Sequence, residues 1–435
     1  MWSSFLFPAL LSTVSATILQ NGQVRPNNYT STAIPSISSP DTTWRTYPPS
    51  APELSYKGRW DDHHISWWSA PGLKFGFQAE NVALSFGKHT SQGVLLAYRL
   101  DGQDWSLTNV TANSTQLLIK PSTLGYNLTT AGELKVLEVR VTNWAYGVQI
   151  AGVHVSGGED ARIVKIPDYT RTMEFIGDSL SAGQYGTLEG ISSAPWGLMY
   201  GLGDVEFTIS AYPGICLHNS RCYGKSLADM YSSNHHAETD LSPILPDNMH
   251  GQTYQWLRTS DTGGRALDLY GNNPPLWNFT AHPAADITLI NIGTNDANPV
   301  NNISASQFTQ SYIDLITTVH RAWPSTQIIV LSLWGGFGAV NATYTQNSAL
   351  VPEIESVVRH FNNGSLNARG ECPACYVYYF NTTGILQHND IGPQYHPTDV
   401  GQIKLASQLM MYVKLVFGWE YRQTGPEVQH ETLYW

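Results

Sequence analysis

Apolar and polar positions alternate with a period of two through the first part of the chain. Leu73, Phe75 and Phe77 are interleaved with Lys74, Gly76 and Gln78. After the turn-like Ala79-Glu80-Asn81 the alternation resumes at Val82, Leu84 and Phe86. Further strands are predicted over residues 94–100, 116–119, 134–141 and 148–155, with Asp101-Gly102 and Gly157-Gly158 as turn signals. No helix-length periodic segment interrupts residues 55–160, so an all-β unit of sandwich or jelly-roll type is expected, assigned to residues 51–160.

Residues 160–169 read as a connector, after which the period changes. Short apolar runs at 173–176, 205–209, 287–292, 328–333 and 376–380 alternate with helical patterns at 307–322, 349–361 and 401–417. In the first of these helices Phe308, Tyr312, Leu315 and Val319 share one stripe. Strands alternating with helices predict a parallel sheet covered on both faces, an α/β unit over residues 170–420. Functional residues of such folds gather at the carboxyl ends of the strands. Residues 214–283 carry little periodicity and are read as loops near that rim. Residues 421–435 form a tail, and the Ser-, Thr- and Pro-rich stretch 17–50 a lead-in.

Composition narrows the setting. Of 435 residues, 13% are charged and the formal net charge is -11, with no run of Lys and Arg. Such a chain gains nothing from counterion release, so nucleic acid is not an expected partner. Residues 1–16 hold an apolar stretch from Phe5 to Leu11 followed by Val14-Ser15-Ala16, the pattern of a cleaved signal peptide. No other segment approaches the ~20 apolar residues of a membrane span, so no membrane partner is expected. Glycosylation sequons begin at Asn28, Asn109, Asn113, Asn127, Asn278, Asn302, Asn341, Asn363 and Asn381, which fits a secreted, extracellular protein. The cysteines fall as two close pairs, Cys216 with Cys222 and Cys372 with Cys375. Two short-loop disulfides suit an oxidising compartment, and a four-thiolate zinc site is the weaker alternative. No metal or cofactor is expected.

Three short segments carry chemistry. The first predicted strand of the α/β unit runs into Gly177-Asp178-Ser179-Leu180, which places a serine at the start of a helix, where backbone N–H groups favour a developing oxyanion. The third runs into Gly293-Thr294-Asn295-Asp296, where Asn295 is able to aim its amide into the rim and Asp296 reads as structural. The last predicted helix is preceded by Tyr395-His396-Pro397-Thr398, whose histidine reaches the same rim. Taken singly, these read equally well as a helix-capping serine, a capping Asn-Asp pair and a surface histidine.

In this order the three segments resemble the blocks of the SGNH (GDSL) hydrolase superfamily, over roughly residues 170–418. The resemblance implies a flavodoxin-like three-layer α/β/α domain with Ser179 as nucleophile and His396 as base. It implies an oxyanion hole from Ser179, Asn295 and the glycine of the second block, for which Gly214 in Ala211-Tyr212-Pro213-Gly214 is the choice. The β-unit upstream, with its Leu100-Asp101-Gly102 turn, makes the chain resemble carbohydrate esterase family 2, whose members remove acetyl groups from plant cell-wall polysaccharides. The resemblance thus implies an acetylated polysaccharide or oligosaccharide, of the xylan or mannan kind, as substrate and a monomeric esterase. An SGNH esterase or lipase acting on small or lipid esters, and a non-catalytic carbohydrate-binding protein, are the alternatives. One position departs from the family pattern: the acid usually three residues before the histidine is replaced by Pro393. A Ser–His dyad is therefore expected, with Asp390 as candidate third member. Trp334, after the fourth strand, is either a wall of the acyl pocket or a core residue, and Trp67, Trp68 and Trp105 are expected in the core.

Overall fold

The structure, a computed structural model, describes residues 44–123, 126, 133–144, 147–222, 249–260, 264–271, 273–334, 337–346, 349–362, 375–392 and 395–422, with the backbone of three two-residue strands upstream. The signal-like segment 1–16 lies outside the described residues.

Two six-stranded antiparallel sheets face each other in the amino-terminal unit. One is built around Gly72–Gln78, Val94–Leu100 and Lys135–Val141, the other around Asn81–Phe86 and Val148–Ser156. Their inner faces bury Leu73, Phe75, Phe77, Val82, Leu84, Val139 and Val153, the residues of period two. Asp101 and Gly102 turn the chain with positive φ, +47° and +76°, and Asp101 Oδ1 accepts the Val136 N–H at 2.8 Å. The expected jelly-roll character is thus present. Trp44–Tyr47, inside the stretch read as a lead-in, forms an edge strand on Val148–Ser156. Its two central residues are exposed, so it carries no apolar alternation to read.

The second unit is a five-stranded parallel sheet. In chain order its strands are Arg171–Gly177, Val205–Ala211, Ile287–Asn291, Gln327–Leu331 and Val377–Phe380, and in space they run second, first, third, fourth, fifth. That is the doubly wound order with its switch point between the first and third strands. Every residue of Ile287–Asn291 is buried, as a strand covered on both faces must be. Helices Ala194–Leu202 and Asp399–Phe417 pack together on one face; Ala305–Ala322 and Val351–Asn362 pack together on the other. The chain is therefore α/β, with an all-β unit ahead of a three-layer sandwich. No helix among the described residues is long and apolar enough to cross a membrane.

The two units are joined through charge as well as apolar contact. Arg59 is 2% exposed and donates to Glu174 Oε1 at 2.8 Å and to the Trp256 carbonyl at 2.6 Å. Its guanidinium lies over the rings of Trp68, Trp256 and Trp277. Glu174 stands on the first parallel strand and also accepts from Ser210 Oγ and Trp256 Nε1, so the buried pair is satisfied on both sides. Further along the interface lies a cleft of about 640 Å³ whose lining includes Lys74, Arg99, Glu138, Arg140 and Tyr200. Arg99 and Arg140 are paired with Glu138, and the cleft sits at the amino end of Val205–Ala211, the end of the sheet remote from Ser179.

Candidate active site

Ser179 follows the first parallel strand directly. The turn is tight: a Cβ on Gly177 would lie 2.1 Å from Ser181 Oγ and 3.0 Å from the Asn291 carbonyl, so only glycine fits. Asp178 caps the turn, accepting the Leu180 N–H at 3.0 Å. The helix that Ser179 opens has four residues, Ser179–Ala182, and ends at Gly183 with φ +75°. One turn sums few peptide dipoles, so the donors near Ser179 act as individual N–H groups rather than through a helix macrodipole.

His396 enters from the loop before the last helix. Its Nε2 lies 2.8 Å from Ser179 Oγ, within reach for proton transfer, and Ser179 is 7% exposed. The Tyr185 ring meets the imidazole edge-on at 4.9 Å. The loop is closed by backbone bonds from Gly392 N to the His396 carbonyl, 2.7 Å, and from Thr398 N to the Asp390 carbonyl, 2.8 Å. Behind it Gln402, on the last helix, donates to the Leu180 carbonyl and accepts the Ala194 N–H, which ties histidine loop and serine turn to one helix.

Gly214 and Asn295 lie on the neighbouring loops. Gly214 has φ +75°, a conformation that disfavours any side chain, and follows the second strand as expected. Asn295 is 6% exposed and gives one amide hydrogen to the Ile215 carbonyl at 2.7 Å, directly beside Gly214. Asp296 accepts the N–H groups of Leu217 and His218, at 2.8 and 3.0 Å. Asn and Asp together pin the segment after Gly214 against the third strand. The Cys216–Cys222 disulfide closes the same segment. Cys375 is disulfide-bonded too, and its expected partner Cys372 lies outside the described residues.

A serine, a histidine, an asparagine and a glycine on four loops thus converge on one end of the sheet. The family model described as GDSL-like lipase/acylhydrolase matches residues 173–409, more than half of the chain. The chain belongs to the GDSL-like lipase/acylhydrolase family. It is a carboxylic ester hydrolase by that membership. No curated protein matches the sequence. Among solved structures it is similar to a family two carbohydrate esterase from Clostridium thermocellum in complex with cellohexaose, with 18% identity, TM-score 0.61, and 84% of this chain and 99% of that one covered. A carbohydrate esterase family 2 enzyme with a carbohydrate binding domain from Corynascus thermopiles (Myceliophthora fergusii) matches at 16% identity and TM-score 0.60, covering 84% and 100%. An acetyl xylan esterase from the rumen bacterium Butyrivibrio proteoclasticus matches at 14% and 0.61, covering 86% and 100%. At these identities the likeness is one of fold, and it spans both units of the acylhydrolase.

Two sequence candidates sit away from the Ser179–His396 contact. Asp390 is 2% exposed and turns its carboxylate to Lys404, whose Nζ reaches both oxygens at 2.7 and 2.8 Å; Oδ2 also accepts the Gln387 N–H at 2.8 Å. It braces the loop that carries His396 and points at a lysine of the last helix, not at the imidazole. Trp334 is 2% exposed and packs in the core with Leu180, Ala182, Phe380 and Leu386, beneath the serine turn. Trp67 and Trp68 are fully buried, and Trp105 is partly buried against the core.

The sequence reading overlooked a contact between the β-unit and the serine loop of the acylhydrolase. Glu189 Oε2 accepts the Trp144 N–H at 3.0 Å and an Asn143 amide hydrogen at 3.4 Å, while Gly190 N donates to the Thr142 carbonyl. The enclosed Glu189 carboxyl is pushed up to about 7 by burial, against the pull of those donors. Trp144 in turn meets the ring of Tyr212 edge-on, two residues before Gly214. No local motif marks these positions, because each partner lies more than forty residues from the other.

Proposed function

We propose that the protein is a secreted serine carbohydrate esterase that removes O-acetyl groups from a plant cell-wall polysaccharide of the xylan or mannan kind. The observation that carries this reading is the 2.8 Å approach of His396 Nε2 to Ser179 Oγ at the loop end of the sheet. Its restriction to sugar esters draws on the fold shared with a carbohydrate esterase solved with cellohexaose and with an acetyl xylan esterase.

In the reaction His396 takes the proton of Ser179 Oγ as that oxygen attacks the acetyl carbonyl carbon. The resulting oxyanion is received by the N–H groups of Ser179 and Gly214 and by the amide hydrogen of Asn295 that Ile215 does not hold. His396 then gives its proton to the leaving sugar oxygen as the C–O bond breaks, leaving acetyl on Ser179. Water, deprotonated by His396, attacks the acyl-enzyme and releases acetate. The proposed enzyme works as a monomer. Secretion is supported by the signal-like residues 1–16 and by the exposed positions of Asn113, Asn278, Asn302, Asn341 and Asn381, each heading a sequon.

Acetate release from acetylated xylan and from 4-nitrophenyl acetate, comparing wild type with Ser179→Ala, tests the proposal. Wild-type turnover of both with loss of both in the variant is the expected result. A wild type active on the aryl ester alone would leave an esterase without the polysaccharide. Full activity in Ser179→Ala would remove the nucleophile.

A further inference from the structure

The fourth parallel strand, Gln327–Leu331, is followed by Trp334 and then by an antiparallel hairpin, Phe337–Val340 with Thr343–Gln346. The hairpin leaves the sheet at the end where Ser179, Asn295 and His396 gather. Asn341 turns its tip with φ +54°, a conformation asparagine tolerates. Gln346 accepts the Gly384 N–H at 3.1 Å, which ties the hairpin base to the loop that continues to His396.

On this hairpin Tyr344 is 53% exposed. One face of its ring is covered by the exposed imidazole of His388, with centroids 3.7 Å apart and planes inclined by 15°. His388 is held in turn by the edge of Phe337 at 6.0 Å and 86°. A lone exposed tyrosine signifies nothing, since much of any protein surface is apolar. Here, however, the ring is stacked on His388, which Phe337 holds in turn, so part of the entropy of ordering the ring is spent before any ligand arrives. The surroundings also define the ligand. Residues 337–346, Phe-Gly-Ala-Val-Asn-Ala-Thr-Tyr-Thr-Gln, include no charged side chain, and the acid nearest His388 in the chain, Asp390, is buried against Lys404. A flat aromatic face on a hairpin without charged side chains suits a neutral ring with one apolar face.

We propose that Tyr344, backed by His388, is a stacking subsite for a neutral pyranose ring of the polysaccharide main chain. A substrate acetylated over Ser179 then extends across the His396 loop onto the hairpin. This rests on the carbohydrate-esterase reading for its ligand, and the test separates the two.

Full-length protein is deglycosylated with an endoglycosidase, so that sugar on the Asn341 sequon does not reach the platform. Binding of xylohexaose, cellohexaose and mannohexaose to the Ser179→Ala protein is measured by titration calorimetry, alone and with Tyr344→Leu, Tyr344→Phe or His388→Ala added. Tyr344→Leu keeps an apolar side chain and loses the plane; it is expected to weaken binding of the best hexasaccharide about tenfold. Tyr344→Phe is expected to bind within about twofold of its parent, and His388→Ala to fall between. With Ser179 restored, the ratio of kcat/KM on acetylated xylan to that on 4-nitrophenyl acetate should drop about tenfold in Tyr344→Leu. Equal binding by the parent and Tyr344→Leu overturns the subsite, as does a parent that binds none of the three. Loss of hexasaccharide binding in Tyr344→Leu, together with no acetate release from xylan by wild type, keeps the subsite and removes acetylated xylan as the esterase's substrate instead.

Discussion

The two loops that bring Ser179 and His396 together each contain a buried aspartate, Asp178 and Asp390, and the two acids live under opposite conditions. Asp178 is fully buried; burial, with Asp296 nearby, pushes its carboxyl up to about 7 against the pull of the Leu180 and Thr294 N–H groups. Its Oδ2 has no hydrogen-bond partner among the described residues. Asp390 is as well buried, and burial alone would raise it, but Lys404 and the Gln387 N–H outweigh burial and hold it below the usual carboxylate value. The serine turn is therefore kept in shape by steric closeness, at Gly177 above all, and carries an acid that prefers to be neutral. The histidine loop is kept in shape by an ion pair. Geometry that must not move rests on packing in the first case and on charge in the second.

The largest effect should separate the reacting group from its neighbour. His396→Ala is expected to lower kcat by about 10⁴-fold or more, because the base is gone while the oxyanion donors remain. Asp390→Asn keeps an acceptor for Gln387 N, and its effect on kcat should stay within about tenfold. An orienting acid would behave otherwise: its replacement by the amide costs about 10⁴-fold. Steady-state kinetics on 4-nitrophenyl acetate with both variants decide between brace and triad member.

The next test makes the same substitution in both loops. Gly177→Ala forces a methyl against Ser181 and the Asn291 carbonyl and should destabilise by about 1–3 kcal/mol, with loss of activity. Gly392→Ala meets Thr398 Cγ2 at 3.3 Å and the His396 carbonyl at 3.6 Å and should stay within about 1 kcal/mol. Chemical denaturation of the two variants measures both. Equal losses would mean that the two loops are equally close-packed.

The smallest effect is the one that depends on pH. An acid whose folded value lies above its unfolded one binds the proton more tightly when folded. Asp178 therefore withdraws stability as pH rises from about 4 to about 7, and the loss is complete above that. Asp178→Asn should raise Tm by a few degrees at pH 8 and leave it nearly unchanged at pH 4. For Asp390 the sign is reversed: its contribution is complete above the ordinary carboxylate range and is lost as pH falls through its lowered value. Thermal melts of Asp178→Asn and Asp390→Asn across pH 2–8 should place the two effects in separate windows: the difference for Asp178→Asn opens between about pH 4 and 7, that for Asp390→Asn is constant there and closes only below about pH 4, and a shared window would contradict the contrast.

What could be read in the chain followed from local pattern. The buried run Ile287–Asn291 announced a central parallel strand, and Ser179, Asn295 and His396 stood out as candidates because their three segments follow the strands or precede the last helix in one order. Contacts between distant segments left no such trace. Lys404 is fourteen residues beyond Asp390, and nothing in that spacing says that the acid turns towards the helix and away from the histidine. Asn295 reads as an oxyanion donor, yet one of its hydrogens is committed to Ile215. Trp334 was ambiguous because a residue after a parallel strand faces either the rim or the core, and layer packing alone decides which.

The Arg59–Glu174 pair has a consequence for how the protein is made. Arg59 leaves the ribosome more than a hundred residues ahead of Glu174, and the β-unit holding it is complete well before the parallel sheet exists. Until Glu174 arrives, that unit carries a guanidinium whose final cage of Trp68, Trp256 and Trp277 is only partly synthesised. The hydrolase sheet, in turn, forms around a carboxylate whose partner belongs to the other unit. The two halves are thus not interchangeable modules: each holds half of a buried charge pair, and a chain cut between them would leave each fragment with an ion that has lost its partner.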